Sequence, residues 1–253
     1  MVRSGLAAAA LVLAACSAPA PHDLAVNLYQ TRSDTPLDKI EMQVRNQTEQ
    51  PLTVTRAQLR GSRLLAPTTW DQPVTIPAGV ALDLKVQLPG PTCTDDPADE
   101  VEVTYASTAG SRTVVVTPED PLGQLAKYSS TRCFERDVQD TAELRAKRVR
   151  GDALLVYVDP GTARIGRLGT TILFRPHRPE ALAARPGDDA GVRRVALTPN
   201  RCDAHALGDD KQGTYFPVDV TLADGREGDF TIGVDQRTRQ QLYRLYARVC
   251  GLS

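Results

Sequence analysis

Apolar residues fall at every second position through much of the first half of the chain. Leu24, Val26 and Leu28 alternate with Ala25 and Asn27, and Ile40, Met42 and Val44 share one side of residues 39–45. Period-two alternation is the pattern of a strand with one buried face. Asn46-Gln47-Thr48-Glu49-Gln50-Pro51 is polar turn chemistry, and residues 52–59 supply a partner strand. Pro77-Ala78-Gly79 turns the chain into Val80, Leu82, Leu84, Val86 and Leu88. Val101, Val103 and Tyr105 alternate next, Ala109-Gly110-Ser111 turns, and residues 113–117 return. Short antiparallel strands with frequent turns predict a β-sandwich.

The period then changes. Leu122, Leu125 and Tyr128 stand at helical spacing after Pro121, which predicts a short helix over residues 121–132. Residues 134–148 are charged and do not alternate, and the basic run Arg145, Lys147, Arg148 and Arg150 reads as a solvated linker or an edge strand. At the carboxyl end Leu242, Leu245, Tyr246, Val249 and Cys250 form one helical face, with Asp235 placed to cap it. Arg237, Gln241, Arg244 and Arg248 form a polar stripe on the same helix, and its arginines Arg237, Arg244 and Arg248 are candidate contacts for an anionic partner.

The second half repeats the first. Val86 and Leu88 precede Cys93 by seven and five places, as Val195 and Leu197 precede Cys202. Val101, Val103 and Tyr105 match Val218, Val220 and Leu222, residues 114–116 match residues 230–234, and residues 54–57 resemble residues 165–168. A helix and a cysteine close each half. The repetition predicts a mainly β protein of two tandem immunoglobulin-like sandwiches, residues 24–136 and 144–253, each with a short C-terminal helix and one disulfide.

Leu13-Ala14-Ala15-Cys16 follows a single basic residue, Arg3, and a short apolar run. That run is too short to span a bilayer as a helix, and the segment has the layout of a secretory signal. The four residues resemble the bacterial lipobox. The resemblance implies cleavage of residues 1–15, a diacylglycerol joined to Cys16, and a lipid-anchored protein at the outer face of the cell membrane. Residues 16–23 then form a tether. Ser17 to His22 spans at most about 20 Å, which sets the first sandwich near the membrane.

Composition adds little to this. The formal charge of −1 gives no global argument for nucleic acid. Arginine outnumbers lysine 25 to 5, a bias of a GC-rich, actinobacterium-like genome. With Cys16 assigned to lipid, Cys93, Cys133, Cys202 and Cys250 remain, an even set in an exported chain. Three pairings are open, and the repeat favours Cys93 with Cys133 and Cys202 with Cys250.

Candidate chemistry is sparse. The sequence holds no Gly-x-Ser-x-Gly, Ser-x-x-Lys, His-Glu-x-x-His or phosphate-loop motif, so no catalysis is expected. Cys202-Asp203-Ala204-His205, with Asp209 and Asp210 beyond, offers imidazole and carboxylates to a divalent ion, so His205, Asp203 and Asp210 are the candidate metal ligands. Otherwise this is an ordered loop in which Asp203 takes local amides. The Cys202 stretch is similar to envelope lipoproteins of high-GC Gram-positive bacteria, a resemblance that implies no activity. The expected role is binding or scaffolding in the envelope, with the membrane and an envelope protein as partners, no nucleic acid, and no cofactor beyond the covalent lipid on Cys16.

Overall fold

The computed structural model describes residues 23–94, 98–208 and 214–252. The lipobox-like segment and the tether through residue 22 lie outside the described residues, as does Asp210.

The first unit holds β1 (Leu24–Tyr29), β2 (Lys39–Asn46), β3 (Leu52–Arg60), β4 (Thr68–Trp70), β5 (Val74–Ile76), β6 (Ala81–Gln87), β7 (Glu100–Ser107) and β8 (Gly110–Val116). One sheet runs β1-β2-β6; the other runs β4-β3-β7-β8, with β5 also on β3. All strand pairs are antiparallel. The alternating residues of both sheets meet in one core, in which Ile40, Met42, Val44, Val54, Ala57, Leu59, Val101 and Val103 are fully buried. Each buried Val, Leu or Ile side chain contributes roughly 1.5–3 kcal/mol. Asn46 is a buried polar residue beside this core. Its Nδ2 donates to the carbonyls of Gln50, Ile76 and Pro77, and its Oδ1 accepts from the amide and hydroxyl of Thr48. A fully satisfied buried amide of this kind fixes the β2–β3 turn.

Helix α1 (Gln124–Thr141) follows, then the second unit: β9 (Glu143–Arg150), β10 (Ala153–Asp159), β11 (Arg164–Leu168), β12 (Phe174–Pro176), β13 (Gly191–Pro199), the short α2 (Ala204–Gly208), β14 (Phe216–Thr221), β15 (Glu227–Ile232) and α3 (Gln236–Cys250). Its sheets run β12-β13-β10-β9 and β11-β14-β15. In chain order that is strands D-E-B-A against C-F-G, the constant-type immunoglobulin arrangement. The first unit has A-B-E against C-F-G with two short strands, β4 and β5, added beside C. Both units are therefore immunoglobulin-like sandwiches. The internal repeat is structural: β3 corresponds to β11, β7 to β14 and β8 to β15.

Disulfides join Cys93 to Cys133 and Cys202 to Cys250. Each ties the loop after strand E, β6 or β13, to the helix that ends its unit. Asp235 caps α3 by accepting from the Thr238 amide at 2.6 Å, and that hydrogen bond holds its carboxyl below the usual range. The apolar face of α3 is Thr238, Leu242, Leu245 and Tyr246. Val249, expected on that face, is 52% exposed; the last turn is held by the Cys250 bridge and by Cys250 and Leu252 packed against the core.

Helix α1 differs from expectation in length. It runs nine residues beyond Arg132. Beyond Cys133 it displays one buried residue, Val138, which lies in the core of the second sandwich. Leu125 and Tyr128, about three turns or more earlier, lie in the core of the first. The stretch expected as a linker is thus half helix and half edge strand, and α1 belongs to both units.

Candidate functional site

Helix α1 is fixed at three levels. At its start Asp120 accepts from the amides of Gln124 and Leu125 at 2.7 and 3.0 Å, which satisfies two of the orphan donors of the first turn. In its middle Tyr128 donates its hydroxyl to Pro89 O at 2.8 Å, and Cys133 is bridged to Cys93. Burial and the nearby Asp38 charge push the Tyr128 phenol up to about 12, so it stays a neutral donor. Toward its end the Phe134 ring lies over Gly228 of β15, where an added Cβ would stand 2.9 Å from the ring. Arg226 pairs with Asp137 at 2.8 Å, and the Thr141 carbonyl meets the β10–β11 turn at Gly161.

An open cleft of about 760 Å³ runs along one side of α1 between the sandwiches. The first sandwich supplies Thr31, Arg32 and Asp38, the helix supplies Lys127, Arg132 and Glu135, and the second sandwich supplies Ile172, Tyr215, Phe230 and Thr231. Ile172 and Tyr215 are 49% and 37% exposed, so the cleft has a partly apolar floor on that side. Its central charge is Arg132. Asp38 Oδ1 accepts from Arg132 Nε at 2.8 Å and from Nη2 at 2.5 Å, and Glu135 accepts from Nη1. Burial pulls the guanidinium pKa down, and the two carboxylates more than offset that and leave it raised.

The wall that carries Asp38 is itself locked. Asp34 and Glu41 are buried, and Lys85 Nζ lies 2.8 Å from a carboxylate oxygen of each. Asp34 also accepts from the amide and hydroxyl of Thr31. Burial raises the Asp34 pKa; the Lys85 and Thr31 hydrogen bonds outweigh it, and the net value lies below 3.8. A depressed carboxyl stabilises the fold fully above its unfolded pKa, and the contribution fades as pH falls through the folded value. Asp34→Asn is therefore expected to lower the unfolding free energy by about 2 kcal/mol near neutral pH. In urea titrations the gap from the native chain should narrow as pH falls below 3.8, the ordinary aspartate value.

Among the residues expected to be functional, the four disulfide cysteines are paired as the repeat predicts. Asp203 takes local backbone: Oδ1 accepts from the Ala206 amide at 2.7 Å, and Oδ2 faces Arg201 at 3.1 Å. His205 is exposed on α2. Among the described residues no three His, Cys, Asp or Glu side chains group as metal ligands, and Asp210 lies outside them. Arg237, Arg244 and Arg248 are exposed on α3, and Arg248 donates to Gly151 O at 2.9 Å. Gln241, in the same stripe, accepts from the Val149 amide of β9, so this part of the stripe is bound to the sheet edge. Sequence reasoning missed the cleft itself. Its cue was Val138, one apolar residue at helical spacing beyond Cys133.

No protein-family model matches the chain, and no curated protein matches it. Among solved structures it is similar to a red sea bream transglutaminase at 12% identity, covering 85% of this chain and 32% of that one, with a TM-score of 0.25. The YadV chaperone aligns at 11% identity over 83% of this chain and 100% of its own, with a TM-score of 0.24. The CBD12 segment of CALX1.2 aligns at 11% identity over 76% and 78%, with a TM-score of 0.25. The chain spans about a third of the transglutaminase. Likenesses this distant carry no functional argument.

Proposed function

We propose that the protein is a lipid-anchored binding or scaffold protein of the cell envelope, held at the outer face of the membrane by acyl chains on Cys16. The α1 cleft would receive a neighbouring envelope protein, without catalysis. One observation carries this reading: α1 contributes Leu125 and Tyr128 to one core and Val138 to the other. The two sandwich faces that flank it are thereby offered as one preformed surface. Preorganisation lowers the ordering cost of association, and anchoring replaces a search in solution with a high local concentration. The main charged group of the cleft, Arg132, is already neutralised by Asp38 and Glu135, which suits recognition by shape and rim contacts.

The anchor is tested by intact mass and peptide mapping of protein extracted from native membranes. The expected result is an amino terminus at Cys16 carrying a diacylglyceryl thioether, and Cys16→Ala should release the protein into the soluble fraction. An unmodified Cys16, or cleavage elsewhere, overturns the anchored reading.

A further inference from the structure

The basic run on β9 has a structural consequence that does not involve the cleft. Glu143-Leu144-Arg145-Ala146-Lys147-Arg148-Val149-Arg150 would put its cations on both faces of a regular strand. The pairing with β10 slips instead: Val156 lies opposite Ala146 and Leu155 opposite Arg148, so Lys147 is the extra residue of a β-bulge. The slip turns Leu144, Ala146 and Val149 to the second core. Arg145, Lys147, Arg148 and Arg150 all fall on the outer face with Tyr157. Helix α3 holds the bulge in place, since Thr238 Oγ1 donates to Lys147 O at 3.5 Å and the Val149 amide donates to Gln241 Oε1 at 2.9 Å.

The neighbouring strands extend this face. Val192 lies opposite Tyr157, Arg194 opposite Leu155, and Arg175 opposite Thr198. Arg145 and Lys147 sit over the Tyr157 ring at 5.8 and 5.3 Å from its centre. Glu143 pairs with Arg145 and Asp152 with Arg194. Among the described residues no carboxylate pairs with Lys147, Arg148, Arg150 or Arg175, all of them exposed. Charge is segregated in the whole chain as well. Residues 23–141 carry 17 acidic and 11 basic side chains, while residues 142–253 carry 14 acidic and 18 basic.

We propose that this outer face of the second sandwich docks on an anionic phospholipid surface. A sheet face is a flat array, with cations about 5 Å apart across strands and about 7 Å apart along them. Arginine forks match phosphate oxygens, and each basic residue at an anionic bilayer strengthens attachment. The face also carries Val192, 57% exposed, and Tyr157. An aliphatic group and an amphipathic ring beside cations fit the headgroup boundary, where tyrosine concentrates, whereas a dissolved polyanion gains nothing from them.

The test uses the chain from residue 16 onward with Cys16→Ser, so that no acyl group contributes and the outcome is independent of the anchored reading. Binding is measured by co-sedimentation with phosphatidylglycerol vesicles and with phosphatidylcholine vesicles. We expect association with the first only, weakening as salt is raised. Lys147→Gln, Arg148→Gln and Arg150→Gln together should reduce partitioning on the order of 100-fold. A control that removes the same charge elsewhere, Arg45→Gln, Arg56→Gln and Arg164→Gln, should change it far less. The substituted side chains are exposed, and unchanged thermal melts verify that the variants fold. Equal binding to both vesicles, equal loss in the control, or binding to soluble polyphosphate without binding to vesicles overturns the proposal.

Discussion

Cys133→Ser is expected to lower the unfolding free energy by about 4 kcal/mol. The Cys93–Cys133 bridge closes a loop with a sequence separation of 40, and the chain-entropy model assigns roughly that value to such a loop. The local effect should be larger on α1 than on the sheets, because the strands keep their own ladders and apolar core. Beyond the bridge, the first sandwich holds α1 through the Asp120 cap, Tyr128, Leu125 and the Arg132–Asp38 pair. Denaturant unfolding followed by circular dichroism gives the global loss. Amide exchange along residues 124–141 should show the largest added opening in the variant, while the protection of β2 and β7 falls only by the global loss. A loss below about 1 kcal/mol would show that packing alone fixes the helix.

Gly161→Ala is expected to lower the unfolding free energy by about 3 kcal/mol. Gly161 has φ +50°, a left-handed conformation that disfavours side chains. An added Cβ would stand 1.9 Å from the carbonyl oxygen of Thr141, so either the last turn of α1 or the β10–β11 turn must shift. The Thr162 amide donates to the same oxygen at 3.4 Å, and that bond would be lost. Gly151→Ala is the matched comparison. Its φ is +65° with nothing within 4 Å of the added Cβ, so it carries the conformational cost of roughly 1–2 kcal/mol without the collision. Thermal melts of the two variants separate the collision from the backbone preference.

The first sandwich was legible in the sequence because its strands are half-buried. Ile40, Met42 and Val44 face the core while Gln43 and Arg45 face outward. The repeat around Cys93 and Cys202 was legible for the same reason, and it gave the disulfide pairing. β9 was harder to read because the bulge at Lys147 breaks the alternation by one residue. Once that residue is set aside, Leu144, Ala146 and Val149 form a regular inner face. β10 reads as a nearly continuous apolar run, Ala153-Leu154-Leu155-Val156-Tyr157-Val158, since Leu155 and Tyr157 underlie the basic side chains of the outer face.

The cleft was not legible. Its shape depends on the docking of α1 against two cores, and that docking rests on Val138, on Phe134 against a glycine nearly a hundred positions away, and on Arg226 with Asp137. None of these has a local pattern. The same holds for the Lys85 cluster, whose two buried carboxylates come from the loop after β1 and from β2 itself. Local sequence specifies such residues only as charged.

On the proposed function, a neighbouring envelope protein binds in the α1 cleft. The most direct measurement places a photo-crosslinking amino acid at Thr231 or Lys127 in the cleft, and at Thr113 on β8 as a control, in cells that make the full-length protein. Irradiation followed by fractionation and mass spectrometry should yield one discrete protein adduct in the membrane fraction from the cleft positions and none from the control. Adducts that are the same from all three positions, or absent from the cleft positions, would contradict the account.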